Sequence, residues 1–537
     1  MPEYLSPGVY IEEVPSGPVP IQGVGTSTTG MVGLTERGPT AVRLVTSWIE
    51  YGRWFGGHTD PSDSYLPYAV QGFFDNGGQR LFVSRIVRTD ADAAFIDLPT
   101  ATANQELHVE AIGPGDFGNR IFVRVRSAEL RPVGNEFKLS VLYYREPQNP
   151  FLDPDDPTNL ANPRFVEPDV REEYDSLGTD PTGANFVLST VNNLSKLIQL
   201  EWTDTTLAPD RPNDVTFANG QLGNGGDGTA TLTTTEYEGD GQLPTDERTG
   251  LAGLETIDEI ALLAVPDEVN EAELNAGSRS AITQAVINQC ARLKDRFAVL
   301  AVPENAGDVQ NITKPADTSY AAIYYPWIRV FDPRTADTLL VPPHGHVLGI
   351  YARTDNDRGV HKAPANEDVR GIITVDLDAN RGPLKYRITK GQHDILNPRG
   401  INVIRDFRPS GRGIRVWGGR TMSSDGQWRY VNVRRLFIFV EESIDEGTQW
   451  VVFEGNYEST WARVVRSVEN FLTSVWRDGA LAGITPEEAF FVRCDRTTMT
   501  PDDIDNGRLI CLVGIAPVKP AEFVIFRISQ KTIEFDS

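Results

Sequence analysis

The chain has 537 residues, a formal net charge of −25, 40% apolar and 23% charged residues. That length holds several domains with sizeable cores, and the composition is that of a globular chain rather than a disordered one. The acidic excess argues against general nucleic-acid binding, which needs a basic footprint, and no apolar run approaches the ~18 residues a membrane-crossing helix needs.

In chain order, residues 1–25 read as an extended arm. Val9, Tyr10 and Ile11 form a short β-prone stretch set between Pro7-Gly8 and Pro15, Pro18 and Pro20. Proline stiffens such a segment and removes backbone donors, so this strand has no local partner. No basic-then-apolar segment opens the chain, so no secretory signal is expected. Residues 26–95 alternate strand and helix signals. Ser47 is expected to cap WIEYGRWFG, closed by Gly56 and Gly57, and a second helix runs through YLPYAVQGFFDNGG. Residues 81–87, LFVSRIV, follow as a buried strand.

Residues 96–254 change character. IFVRVRSAEL and NEFKLSVLYYRE alternate like antiparallel strands, joined by Pro/Asp-rich connections. Residues 141–260 carry 23 acids and 6 bases, a net of −17. This stretch is expected to be an inserted, mainly β, outer domain. From residue 255 the runs EIALLAVPD, SRSAITQAVINQCARLKD and RFAVLAVPE restore strand–helix–strand order, the pattern of a parallel layer covered on both faces. Residues 26–95 and 255–396 are therefore expected to form one α/β core split by the insertion. Residues 397–516 are expected to be a C-terminal α+β domain, and 381–440 carry 13 bases and 3 acids, a net of +10. Residues 517–537 read as a second arm. Pro517 and Pro520 set off EFVIFRISQ, where Phe523 and Ile525 alternate with Val524, Phe526 and Ile528, apolar on both faces. The fold class is α/β and α+β multidomain, with extended arms at both ends.

Little in the sequence suggests catalysis. His344 and His346 are the one close histidine pair, without HExxH or CxxC around them, and are expected on a loop or strand end rather than at a metal. Gly223, Gly225, Gly226 and Gly228 lack the Lys-Ser/Thr of a phosphate loop and are expected to form a flexible loop. No GxSxG occurs. The three cysteines, Cys290, Cys494 and Cys511, are odd in number and lack metal spacing, which suits buried thiols in a reducing compartment. No catalytic, metal or cofactor-binding residue is assigned. The most informative helix is expected at residues 459–478. At about 100° per residue, Trp461, Val464, Val465, Val468, Phe471, Leu472, Val475 and Trp476 share one face. The opposite arc holds Arg463, Arg466 and Arg477 and no acid. Two readings stand: a solvated basic face, or a stripe against an acidic partner, since guanidinium forks bind carboxylates bidentately.

Several long blocks, in order, carry a family resemblance. YLSPGVYIEEVPSG followed by VGTSTTGMVGLTERGP, then VPPHGHVLGIYARTDNDRGVHKAPAN, LNPRGINVIRDFRPSGRGIRVWGGRTM and RYVNVRRLFIFVEESI together resemble the contractile tail sheath family of phage tails and related injection particles. The likeness covers roughly residues 1–90 and 255–537 and leaves 96–254 assigned by composition alone. It implies a structural subunit that polymerises as stacked six-membered rings around an inner tube, in an extended metastable state, and contracts without nucleotide hydrolysis. It implies that the two arms add strands to neighbouring subunits, through Val9, Tyr10 and Ile11 at one end and Phe523, Val524, Ile525, Phe526 and Ile528 at the other. It also gives Arg463, Arg466 and Arg477 the inner tube as their partner. Further partners would be baseplate and tail terminator proteins, with no direct nucleic acid and no membrane insertion. The particle would assemble in the bacterial cytoplasm and end as a virion tail or a released headless injection device. An α/β enzyme with an outer β domain remains a reading from another class. A surface-layer or adhesion protein is a further one, against which the missing secretion signal counts.

Overall fold

The computed structural model describes residues 20–102, 104–130, 136–378 and 381–527. Val9, Tyr10, Ile11 and Ile528 lie outside them. The chain divides into two compact units. The larger comprises Ser27–Arg353 and Pro364–Arg429; the smaller takes residues 20–26, Thr354–Ala363 and 430–527 of the described chain.

The larger unit is built on a nine-stranded sheet of β1 (Thr29–Gly33), β2 (Arg43–Val45), β3 (Leu81–Arg85), β4 (Leu262–Ala264), β5 (Phe297–Ala301), β6 (Ala321–Tyr325), β7 (Glu367–Asp368), β8 (Ile401–Asp406) and β9 (Ile414–Val416). Their order is β7-β9-β8-β6-β5-β4-β1-β3-β2. The six central strands, β8 to β3 in that order, pair in parallel; β2 closes one edge and β9 with β7 the other, antiparallel. The runs TGMVG, LFVSR, LLA, FAVLA and AAIYY are buried at every position. Strands covered on both faces need that composition. Helix α1 (Ala276–Leu293), whose Asn275 cap accepts from Ser278 N, links β4 to β5. Its Ile282, Val286 and Cys290 pack into one core with Leu263, Leu300, Ile401 and Val403. Ser47 caps the helix Trp48–Phe55 by accepting from Glu50 N, and Gly56 ends it at φ +83°, where a side chain would be strained.

Between β3 and β4 lies the insertion. Phe95–Pro99, Glu106–Ala111 and Ile198–Trp202 make one antiparallel sheet; Ile121–Ser127, Phe137–Tyr143 and Val170–Leu177 make another. Residues from both, including Leu107, Val109, Val123 and Leu139, share one core. The chain rejoins the α/β core earlier than residue 254, because Leu232, Tyr237, Leu251 and Leu254 already pack with the side chains of α1.

Three further expectations are corrected. The boundary at residue 397 does not separate domains: β8 pairs with β6, so 401–416 complete the central sheet and the smaller unit resumes at Tyr430. His344 and His346 are not on a loop or strand end but open the helix α2 (His344–Arg358), with both imidazoles buried. His344 Nε2 lies 3.0 Å from Glu268 Oε1, which also accepts from Ala301 N at 3.0 Å. Burial alone pushes His346 down to about 3. A Cβ at Gly345 would collide with the Ala69 carbonyl, so the absent side chain allows α2 to lie against the helix Leu66–Asp75. The glycine-rich stretch is not a free loop. Gly223 and Phe95 exchange main-chain bonds, as do Gly226 and Asp92, and Asn119 holds Gly225 through both amide atoms.

The smaller unit centres on α3 (Val431–Thr448) and α4 (Glu458–Arg477). Leu436 and Val440 of the first meet Val464, Val468, Phe471, Leu472 and Val475 of the second. Ile21 is buried in the same cluster, and Gly447 leaves room for it. Val24 N donates to Ser443 Oγ at 3.1 Å. Arg435 then fixes the end of this segment. It donates to the Thr26 carbonyl at 2.9 Å and forks onto Asp355 at 2.9 and 2.5 Å, with both side chains almost fully buried.

Two stability measurements follow from these buried groups. Asp267 has no exposure, and although Ser64 Oγ, Tyr65 N and Tyr237 OH donate to it, burial pushes its carboxyl up to about 7. The folded state therefore holds this proton more tightly than the unfolded chain. Its contribution to stability falls as pH rises from about 4 to about 7, by on the order of 4 kcal/mol in total. Urea denaturation of Asp267→Asn against wild type should show the difference moving in the variant's favour across that window and staying constant above it. In the second, Arg435→Met alone should cost roughly 3–5 kcal/mol by stranding the buried Asp355 carboxylate. Arg435→Met with Asp355→Leu should recover most of the loss.

Candidate assembly interface

An incomplete sheet lies in the smaller unit. Phe490–Arg493 and Leu512–Ile515 pair antiparallel, from Phe490 opposite Ile515 to Arg493 opposite Leu512. One face docks on the helical core: Phe490, Val492 and Ile515 pack with Phe471, Val475 and Ala489. The other face shows Phe491 and Leu512 to solvent, 57% and 50% exposed. A two-stranded sheet is marginal by itself in water. Among the described residues neither outer edge carries a further strand. Each edge therefore presents backbone N–H and C=O groups that another strand can pair with.

The chain leaving this sheet is tied down for a few residues and then released. Ala482 N donates to Ala516 O and Val518 N to Ala480 O. Asn432 Nδ2 donates to Val518 O at 3.1 Å, and Tyr430 OH to Glu522 Oε2 at 3.1 Å. Past that last tether, Phe523, Val524, Ile525 and Phe526 are 70%, 70%, 78% and 83% exposed and belong to no strand. Burying an aliphatic or aromatic side chain contributes about 1.5–3 kcal/mol, so four adjacent ones in water mark a surface that awaits a partner.

The arginine stripe on α4 divides. Trp461, Val464, Val468, Phe471, Leu472 and Val475 are buried, which turns the opposite arc outward. Arg463 folds back on its own chain: Nη2 donates to Glu454 Oε2 at 2.8 Å and the guanidinium lies 4.9 Å from the Trp450 ring centroid. Arg466 and Arg477 are exposed, and among the described residues neither is ion-paired. The helix thus presents two free guanidinium groups and one that is already partnered.

Among the described residues no cluster of three or more His, Cys, Asp or Glu side chains is arranged to hold a metal ion, and no helix is long and apolar enough to cross a membrane. The hairpin register brings Cys494 beside Cys511, and burial pushes the Cys494 thiol up to about 12, far from a reactive thiolate. Sequence pattern alone does not single out AFFVRC as the strand that pairs with residues 512–515. That short apolar run beside a Pro-initiated turn was the available sign.

Two family descriptions match consecutive stretches. The phage tail sheath protein central domain covers residues 245–422, and the phage tail sheath C-terminal domain covers 423–531. A prophage major tail sheath protein of Pseudomonas aeruginosa is 25% identical over 256 residues, 46% of this chain and 61% of its own length. The tail sheath protein of Burkholderia phage BcepMu is 30% identical over 168 residues, 30% of this chain and 33% of its own. The chain thus spans less than two thirds of the curated relatives it matches first. Among solved structures, the helical sheath of the anti-feeding prophage in its contracted state is similar at a TM-score of 0.57 and 25% identity, covering 98% of this chain and 99% of that one. With adjoining sheath domains running across more than half of its residues, the chain belongs to the contractile tail sheath protein family.

Proposed function

We propose that the chain is the structural subunit of a contractile sheath, polymerised as stacked six-membered rings around an inner tube and tied together by strand exchange. The observation that carries this reading is the unfinished hairpin Phe490–Arg493/Leu512–Ile515 in the same unit as the exposed run Phe523–Phe526. A strand donor and a strand acceptor on every copy make a head-to-tail contact, which closes into a ring or runs on as a helical polymer according to the rotation it imposes. Each added strand supplies main-chain bonds worth about 0.5–1.5 kcal/mol apiece, and alternate side chains add apolar burial. Val9, Tyr10 and Ile11 are proposed as the donor at the other end, with Ile528 continuing the C-terminal one. The role is mechanical and needs no catalytic residue or cofactor.

Arg466 and Arg477 are proposed to face an acidic inner tube protein. Arg463 joins them only by exchanging Glu454 for a partner's carboxylate. Domain roles follow the units: the insertion between β3 and β4 faces outward, and α4 faces the tube. Baseplate and terminator proteins are the expected neighbours at the two ends of the polymer. Of the two particle types, a phage tail is the first reading and a headless injection particle, of which the anti-feeding prophage sheath likeness is the support, is the second. Electron microscopy of the native particle decides this: a headless tube overturns the first reading, a capsid on the tube the second.

Deleting residues 1–20, or everything from Glu522 onward, should leave a folded subunit with an unchanged circular dichroism spectrum and no long tubes in negative stain. Full-length tubes from either truncation would remove strand exchange from the mechanism. For the tube contact, Arg466→Glu with Arg477→Glu should lower co-assembly on purified tube at least about tenfold at low salt, with little change in melting temperature. Both charges are exposed, and isolated surface charges contribute within about 1 kcal/mol to folding. Equal co-assembly would assign the stripe to solvent.

A further inference from the structure

A cleft of about 770 Å³ opens at the amino ends of β6 and β8. Gly400, in its wall, directly precedes β8, and Met422 N, between the wall residues Thr421 and Ser423, donates to the carbonyl of Ala321, which opens β6. The wall carries Lys314, Arg399, Arg420 and Arg429 together with hydroxyl side chains, and no acidic residue. The cations are held mainly by backbone carbonyls. Arg399 Nη1 donates to Gln310 O at 2.7 Å and Ile312 O at 3.0 Å, Arg420 Nη1 to Asn397 O at 3.1 Å, and Lys314 Nζ to Met422 O at 2.5 Å. Carbonyls fix these groups in place without cancelling their charge. Lys314 has Asp317 at 3.4 Å. Among the described residues, neither Arg399 nor Arg429 has a carboxylate within ion-pair distance. Like charges gathered in a concave wall repel one another and focus a positive potential that an anionic occupant relieves. Preformed guanidinium forks favour carboxylates in that role.

The chain itself indicates the occupant. Residues 381–440 hold 13 bases against 3 acids in a protein of net charge −25, whose residues 141–260 hold 23 acids against 6 bases. In a polymer of one subunit, the anionic surface at highest local concentration is that of another copy. We propose that this cleft takes an acidic segment of a second copy of this chain, forming a subunit contact separate from the arms and from the stripe on α4. This inference rests on the sheath reading.

The test is polymer assembly by full-length protein at about 50 mM and about 500 mM salt. Arg429→Glu is the chosen variant because Arg429 is exposed and its replacement leaves the fold intact; its melting temperature checks this. Polymer yield should fall at least about tenfold for Arg429→Glu at low salt, stay near wild type for Arg429→Lys, and fall for wild type itself as salt rises. Arg399→Gln, read in the same assay, carries the test should Arg429→Glu misfold. A benzoylphenylalanine cross-linker placed at Ser424 of assembled protein should capture an acid-rich peptide of the same chain. Equal assembly by Arg429→Glu and Arg399→Gln, or cross-links to another protein only, overturns the inference and leaves the sheath reading standing. Tight binding of inorganic phosphate to wild-type monomer with normal assembly of Arg429→Glu overturns it in favour of a small-anion site. A wild-type chain that never polymerises overturns the sheath reading and this inference with it.

Discussion

An unpaired strand edge is a debt in main-chain hydrogen bonds, and the smaller unit carries two of them on one hairpin. In the larger unit six parallel strands are flanked by antiparallel neighbours at β2 and at β9 with β7. A two-stranded sheet docked on one face still gains main-chain bonds from any strand added at its edge, and such a contact needs no large flat interface. It also survives motion better than a flat contact does. In the strand exchange proposed above, main-chain bonds would move with the hairpin as a rigid piece while the connecting segments absorb rotation.

That demands a firm root for each connecting segment. At the amino-terminal side, Ile21 is buried, Val24 is bonded to Ser443, and Thr26 is held by Arg435, which Asp355 holds in turn. Burying an ion pair contributes little net stability compared with an apolar pair of the same volume. Its value here is directional: a bidentate fork fixes where the backbone leaves the core, which a greasy contact does not. At the carboxyl side the corresponding anchors are Val518, through Asn432, and Glu522, through Tyr430. Tyr430 and Asn432 lie at the start of α3, and Ser443 lies near its end. One helix thus holds the roots of both segments.

Much of the architecture was readable from pattern. The doubly buried runs LFVSR, FAVLA and AAIYY announce a parallel sheet, Ser47 and Gly56 mark a helix at both ends, and the apolar face of α4 emerges from its period. The failures share a cause. Helix α2 is buried along most of its length, so it has no polar face to give it a period, and its glycines, which permit close packing, read as loop. Basic composition points residues 401–416 to the following domain, yet charge reports surface and not which strand β8 pairs with. Arg463 was grouped with Arg466 and Arg477 because period places them on one arc, but Glu454 lies outside the helix and its reach is tertiary information.

Charge is distributed as unevenly as hydrogen bonding. With a net of −25, like-charged copies repel at distances up to about a Debye length, roughly 8–10 Å at ordinary ionic strength. A polymer of such subunits must overcome that repulsion locally. Strand addition does so with short-range bonds that are indifferent to net charge. Cationic patches held within an acidic surface do so by offering each approaching copy one favourable orientation among many unfavourable ones. Bonds without charge selectivity set the strength of the connection, and charge without strong bonds sets its register. On the reading proposed above, a subunit that combines the two can assemble in one lattice only.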